Sequence, residues 1–499
     1  MRELRELIRR LEERGLVLER AGSFDGREIN HLANDSRKVG PEGLFVAISG
    51  GQFDGHLFID KAVKNGAIAI ACEAMPANQE ARFPGIAFVR VKNSRAALAE
   101  LAAAFYGDPA NELTMLGVTG TNGKTTVTFL LHFLLSALGR RPGLIGTIEV
   151  RMGDHVVEGG LTTPDTLDVQ RLLRQMANAG CDTCAMEVSS HALDQERVRS
   201  IRFDSAIFTN LTRDHLDYHV TRDAYQEAKK RLFDGLEEGA AAIYNADDPA
   251  GLHMIRDTRA RIVSFGIDEP AMIRGAIIED RTDGLRMILD GEERHFHLVG
   301  RFNAYNLLAT YAAARSLGLP GKDVLDALAA SPSVPGRFEI VRFDDGTTAV
   351  IDYAHTPDAL ENVLRTIRET KDESATLWCV FGCGGDRDRE KRPMMGAIAE
   401  RLADEVIVTS DNPRTEDPTS ILQDIRQGMA NPDRALWIVD RREAIREAAR
   451  RAKAGDVVLI AGKGHETYQV IGREKLPFDD RQIVREGFAD RHDDNLQRD

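Results

Sequence analysis

Leu113 to Thr126 reads L-T-M-L-G-V-T-G-T-N-G-K-T-T, an apolar run that passes through glycines into a lysine and two threonines. The apolar-periodic stretch Val127 to Leu138 follows, so a strand, a loop and a helix are expected in that order. Closely spaced glycines let backbone N–H groups turn towards phosphate oxygens, and the helix N-terminus adds its dipole. Lys124 supplies a point charge, and the Thr125 hydroxyl can reach Mg²⁺. The chemistry these residues suit is the binding of a nucleoside triphosphate.

The general phosphate-loop pattern wants its first glycine at 118, where Val118 stands; glycines are at 117, 120 and 123 instead. The narrower string G-T-N-G-K-T-T, Gly120 to Thr126, resembles the Mur ligase family, the ATP-dependent amide ligases of peptidoglycan assembly, and their folylpolyglutamate synthetase relatives. ATP contacts are therefore expected from Gly120, Thr121, Asn122, Gly123, Lys124, Thr125 and Thr126.

Glu187 ends A-M-E, His215 lies in T-R-D-H-L-D-Y-H, and Lys229 lies in Y-Q-E-A-K-K-R-L-F. On a helix, Tyr225, Ala228, Lys229 and Leu232 fall at i, i+3, i+4 and i+7, which puts Lys229 on the apolar face and points Lys230 away. A bare ammonium there is penalised by desolvation. Either the side chain snorkels to the surface, or its neutral amine reacts with carbon dioxide to give a carbamate, an anionic oxygen ligand for magnesium. The resemblance implies the second: in Mur ligases the matching lysine is carboxylated and helps secure Mg²⁺ with the matching glutamate and histidine. Thr125, Glu187, His215 and Lys229 (as N6-carboxylysine) are then the expected metal ligands, and Lys124, Glu187, His215, Lys229 and Arg337 the catalytic set.

Other polar positions read as ordinary loop chemistry until the resemblance is counted. Asn34-Asp35-Ser36-Arg37 and Gly50 to Gly55 are turns flanking a strand. D-S-R-x-V-x-x-x-x-L-F-V-A, Asp35 to Ala47, is similar to the uridine-nucleotide domain of third-step Mur ligases, which implies UDP contacts from Asn34, Ser36, Gly51, Gln52 and Phe53. Thr163-Pro164 is equally a helix start. By resemblance, Thr162, Thr163, Ser189, Gln195 and Arg197 hold a UDP-muramoyl dipeptide, with Leu161 where asparagine often stands. Asn303 and Asn306 suit a helix cap or, as in the family, the adenine. Arg337 resembles the phosphate-contacting arginine and Asp352 the ribose-contacting aspartate.

The string D-N-P-R, Asp411-Asn412-Pro413-Arg414, bears on the amino acid. Meso-diaminopimelate differs from lysine by a second carboxylate, and a guanidinium binds carboxylate through paired charge-assisted hydrogen bonds. Family members that add diaminopimelate carry D-N-P-R, and lysine-adding ones replace the arginine. Arg387, Asp411, Asn412, Pro413, Arg414, Gly462 and Glu466 are thus expected at the incoming amino acid. The implied reaction joins meso-diaminopimelate to the D-glutamyl γ-carboxylate of UDP-N-acetylmuramoyl-L-alanyl-D-glutamate through an acyl phosphate. The alternatives are a folylpolyglutamate-type synthetase or a lysine-adding ligase.

These residues need a scaffold. At 499 residues the chain is long enough for roughly three domains. Gly107-Asp108-Pro109 and Ser331 to Gly336 punctuate it, which predicts α/β domains at 1–107, 108–335 and 336–499. The first is a small UDP-binding unit. The second is a phosphate-loop ATPase domain with a mostly parallel sheet, its strands at Leu144–Ile148, Thr183–Val188, Ala206–Thr209 and Ala241–Tyr244, and a hairpin at Asp290-Gly291. The third is Rossmann-like, with strands at Ala349–Asp352, Leu377–Phe381, Val406–Thr409, Ala435–Val439 and Val457–Ile460. Gly382-Cys383-Gly384-Gly385 lacks G-x-G-x-x-G spacing, which argues against a dinucleotide enzyme. A GTP switch would need an N-K-x-D element, which is not found.

Hydrophobic residues make up 42% and charged residues 29%, ordinary for a soluble domain protein. A formal charge of −14 with no basic segment argues against nucleic acid as a partner. No apolar run approaches the ~20 residues of a membrane span. Leu4, Leu7, Ile8 and Leu11 share one helical face, which reads as neither signal nor transit peptide, so a cytoplasmic monomer acting on small molecules is expected. The five cysteines lie in or beside apolar runs and read as buried thiols rather than zinc ligands.

Overall fold

The computed structural model describes residues 1–50, 54–214 and 216–496. Three α/β domains follow one another along the chain, each built on its own sheet. The first sheet has five strands, in the order Val17–Ala21, Ala87–Val91, Ala67–Cys72, Gly43–Val46 and His31–Ala33. All neighbours pair parallel except the first two. The helix Leu4–Glu13 buries Leu4, Leu7, Ile8 and Leu11, the four residues its sequence period selects.

The central sheet has eleven strands, and its parallel heart carries the site. Pro142–Ile145, Thr183–Glu187, Thr114–Thr119, Ser205–Phe208, Ala241–Asn245 and Arg261–Gly266 lie side by side in that order. Most of their residues are buried, as expected where helices cover both faces. The helices Lys124–Ala137 and Arg301–Ser316 pack over one face with a core of Leu131, Leu134, Leu307 and Leu308. The hairpin expected at Asp290-Gly291 joins Gly284–Leu289 to Glu292–Phe296.

The third sheet runs Glu339–Arg342, Thr348–Asp352, Val457–Ala461, Leu377–Phe381, Glu405–Val408 and Leu436–Trp437, parallel after its first strand. The last strand is shorter than the sequence suggests: Ala435–Val439 contributes only Leu436–Trp437, an edge pairing on one side. All five cysteines are buried, and burial pushes the Cys72 thiol up to about 12. No helix among the described residues is long and apolar enough to cross a membrane.

Candidate active site

The strand Thr114–Thr119 lies between Thr183–Glu187 on one side and Ser205–Phe208 on the other, so the loop that leaves it does so where the strand order reverses. Two glycines let this loop close up. Gly120 has φ +148°, and a Cβ there would lie 1.9 Å from Thr209 Oγ1; Gly123 has φ +88°, and a Cβ would lie 2.5 Å from Asn306 Oδ1. The helix Lys124–Ala137 begins immediately after. Lys124 Nζ donates to the carbonyls of Gly120 at 2.9 Å and Thr121 at 2.8 Å. Burial pulls the Lys124 pKa below its ordinary value, against the nearby negative charges of Glu187 and Asp214. Thr209 Oγ1 donates to the Asn122 carbonyl at 2.6 Å, and Asn122 N donates to Asn210 Oδ1 at 2.9 Å.

Glu187 ends its strand almost wholly buried, and three donors reach it. Thr125 Oγ1 and Thr147 Oγ1 each lie 3.1 Å from Oε2, and Thr147 N donates to Oε1 at 2.8 Å. A hydroxyl and a carboxylate side by side are the hard oxygen donors that suit Mg²⁺. Lys229, buried on the helix Arg222–Asp234, donates to the same Gly120 carbonyl at 2.8 Å and lies 4.4 Å from the Tyr225 ring centroid. Burial first, and then the charge of Lys124, hold its pKa well below that of an ordinary lysine. The snorkelling alternative fails, because Nζ ends inside the protein. Lys230 also departs from expectation: rather than facing solvent it is buried, paired with Asp234 at 2.5 Å and Asp257 at 2.6 Å.

Asn303 and Asn306 do not cap a helix. Arg301–Ser316 starts from Gly300, and both asparagines lie inside it, buried, with Asn306 Nδ2 donating to Asn303 Oδ1 at 2.9 Å. Asn306 therefore backs the phosphate loop at Gly123. Thr163 is not a helix cap either, since Thr166–Asn178 starts from Asp165. Its hydroxyl donates to the Glu187 carbonyl at 2.8 Å and accepts from Ser189 N at 3.0 Å, which stitches two strand-end loops together.

The C-terminal domain closes over the loop. Arg337 NH2 donates to Thr125 Oγ1 at 3.0 Å, and its guanidinium sits 4.6 Å from the Tyr353 ring centroid. Asp352 fixes that turn by accepting from Phe338 N and Ala354 N, both at 2.7 Å, and burial raises its pKa. Asp358 accepts from Asn122 Nδ2 at 3.2 Å across the same boundary.

Beside this junction opens a cleft of about 740 Å³. Thr162, Thr163, Ser189 and Arg197 line it from the central domain, and Arg387, Asp411, Asn412, Arg414, Gly462 and Glu466 from the third. Gln195 stands behind, its Oε1 accepting from Arg197 NH2 at 2.8 Å. Arg387 and Arg414 flank Gly384: a Cβ there would lie 3.9 Å from Arg387 Cγ and 2.9 Å from Arg414 NH1. Glu466 Oε2 accepts from Asn412 Nδ2 at 2.9 Å and from the wholly buried Lys463 at 3.0 Å. Pro413 serves through its backbone, the turn on which Glu416 N closes at 3.1 Å.

Asn34 and Ser36 stand apart from this cleft, in the turn after His31–Ala33, where the Ser36 carbonyl accepts from Asn65 Nδ2 at 2.7 Å. Gly51, Gln52, Phe53 and His215 lie outside the described residues. Thr147, Asp358 and Lys463 were not singled out by the sequence. Lys463 stands between the expected Gly462 and Glu466, but its partner Asn412 is 51 positions away. Thr147 and Asp358 carry no local signal.

Nearly the whole length of the chain matches known proteins. The pattern described as "Mur ligase family, catalytic domain" matches residues 28–106, "Mur ligase middle domain" residues 118–314, and "Mur ligase, glutamate ligase domain" residues 336–464. The UDP-N-acetylmuramoyl-L-alanyl-D-glutamate–2,6-diaminopimelate ligase of Parabacteroides distasonis is 46% identical over 98% of this chain and 99% of its own. The protein of the same name from Phocaeicola vulgatus is 43% identical over 93% and 96%. A solved structure of a ligase with that name superposes with a TM-score of 0.67 at 34% identity, covering 98% of this chain and 99% of its own. With sequence pattern, full-length identity and three-domain architecture in agreement, this chain belongs to the Mur ligase family.

Proposed function

We propose that the chain is an ATP-dependent ligase that forms an amide between meso-2,6-diaminopimelate and the D-glutamyl γ-carboxylate of UDP-N-acetylmuramoyl-L-alanyl-D-glutamate, a cytoplasmic step of peptidoglycan assembly. The observation that carries this reading is one cleft with Thr163, Ser189 and Arg197 on one wall and Arg387, Arg414 and Glu466 on the other, beside a phosphate loop that Arg337 reaches from the next domain. Near 107 and 335 we divide the chain into a UDP-binding domain, an ATP-binding domain and an amino-acid-binding domain.

In this reading Lys124 and Arg337 offset charge on the phosphoryl group as it passes from ATP to the γ-carboxylate. Thr163, Ser189 and Arg197 hold the acyl phosphate for attack by the incoming amine, and phosphate leaves as the amide forms. Arg387 and Arg414 bind the distal carboxylate, while Glu466 accepts from an ammonium. Asn34, Ser36, Gly51, Gln52 and Phe53 take the UDP end. Asn303, Asn306 and Asp352 take the nucleoside of ATP. Thr125, Glu187, His215 and Lys229 would hold Mg²⁺, which when bound supplies further positive charge at the transferred group. Lys229 suits that role once carboxylated. Burial lowers its pKa and so favours the neutral amine, which adds to carbon dioxide through its lone pair and releases one proton, leaving an N-bound carbamate.

Phosphate release tests the reading. UDP-muramoyl dipeptide and ATP should give phosphate with diaminopimelate, and little with lysine or D-alanyl-D-alanine. Phosphate release that is independent of diaminopimelate, or strongest with lysine, would overturn it.

A further inference from the structure

Arg387 and Arg414 belong to separate loops, one after Leu377–Phe381 and the other after Glu405–Val408. Their spacing must match one carboxylate for both to serve it. Two non-glycine residues in these loops, Asp386 at φ +54° and Arg414 itself at φ +51°, hold left-handed backbone conformations, which persist only where the surroundings impose them.

The surroundings converge on one side chain. Arg392, in the first turn of the helix Lys391–Leu402, is wholly buried beneath the loops. Its NH2 donates to Glu416 Oε1 at 2.8 Å and to the Gly384 carbonyl at 3.2 Å; its NH1 donates to Glu416 Oε2 and Asp424 Oδ2, both at 2.9 Å. Glu416 Oε1 in turn accepts from Asp386 N at 2.5 Å, and the Asp386 carboxylate takes Thr415 N at 3.1 Å and Thr415 Oγ1 at 2.8 Å. The first loop is thus held to the second by direct bonds between Asp386, Thr415 and Glu416, and one planar guanidinium beneath them fixes Glu416, Gly384 and Asp424 together. A buried ion pair of this kind is poor value as stability alone, since well-packed apolar residues often serve a fold as well. Its geometry is what an apolar replacement could not reproduce.

Resting on the amino-acid substrate proposed above, we infer that Arg392 is a positioning residue that sets the spacing of Arg387 and Arg414 and thereby the preference for an amino acid with a second, distal carboxylate over one that lacks it. Arg392→Lys keeps the charge but cannot reach Gly384, Glu416 and Asp424 together. Its KM for diaminopimelate should rise about tenfold, while kcat and the KM values for ATP and UDP-muramoyl dipeptide stay within about threefold. The ratio of kcat/KM for diaminopimelate over lysine should fall about tenfold. A merely structural role would lower the active fraction for both amino acids and leave that ratio unchanged. Glu416→Gln, at a half-exposed side chain, should move the ratio in the same direction and decides the matter if the lysine variant does not fold. A wild-type enzyme that does not prefer diaminopimelate overturns the substrate reading and this inference with it. A wild type that does, with variants that keep its ratio, overturns the inference alone.

Discussion

Thr147→Val removes one hydroxyl from beside the proposed metal-holding carboxylate and keeps the shape of the side chain. The Thr147 oxygen lies 3.1 Å from both Glu187 Oε2 and Thr162 Oγ1. A carboxylate can only accept, so the Thr147 proton points at Glu187. The variant leaves Oε1 with its backbone donor and Oε2 with Thr125 alone. Because Glu187 is buried, water cannot replace the lost donor. A hydrogen bond to a charged group is worth about 1.5–3 kcal/mol, and in the proposed mechanism Thr125 also turns to the metal, so Thr147 is the donor that remains. Without it the metal-free carboxylate is no longer held in its ligating orientation and metal binding must supply that ordering, so this free energy is the upper bound of the effect: a rise of up to about a hundredfold in the Mg²⁺ concentration for half-maximal activity. The assay is phosphate release against Mg²⁺ at saturating ATP, dipeptide and diaminopimelate. Thr147→Ser should recover most of the loss. An unchanged Mg²⁺ dependence in Thr147→Val would show that Glu187 does not depend on this contact for metal binding.

Three other perturbations have defined outcomes. Lys229→Ala should lower turnover by at least about a hundredfold and regain part of it with added formate or acetate; full activity at ambient carbon dioxide would rule out the carbamate. Arg414→Lys keeps charge but loses the fork, so kcat/KM for diaminopimelate should fall by about tenfold to a hundredfold with little change for ATP; equal losses for every substrate would count against a clamp. His132, whose pKa burial and then Arg151 lower from 6.5 to about 4, should make the protein less stable on acidification. Between those values the unfolded chain binds the proton that the folded chain refuses, so stability falls as pH drops from 6.5 towards 4. His132→Gln should flatten the pH dependence of the urea midpoint across that window, and parallel curves would refute the assignment.

Features that depend on neighbours in the chain were legible in the sequence. The phosphate loop is a run of glycines, a lysine and threonines between a strand and a helix, and it folds as that spacing requires. The amphipathic face of Leu4–Glu13 and the turn at Asp290-Gly291 are local in the same way. Contacts formed across the fold were not. Lys230 was misread because its partner Asp257 comes from the connection after the next strand, which no helical period reveals. Asn303 and Asn306 were open to a cap reading because Gly300, not asparagine, starts their helix. Arg392 stands among R-D-R-E-K-R with nothing to mark it, since its acceptors Glu416 and Asp424 are 24 and 32 positions away.

A single peptide oxygen, that of Gly120, accepts from both Lys124 Nζ and Lys229 Nζ. Two amines that share one acceptor do not titrate independently, and, next to burial, the charge of Lys124 is among the causes that lower the Lys229 pKa. An anion that draws Lys124 away leaves the oxygen to Lys229 and offsets the charge that disfavours protonation there. By reciprocity, a change in the protonation or carboxylation of Lys229 shifts the affinity of the loop for that anion by the factor with which the anion shifts that equilibrium. The loop thereby links the chemical state of one lysine to the binding of nucleotide, without any movement of a domain.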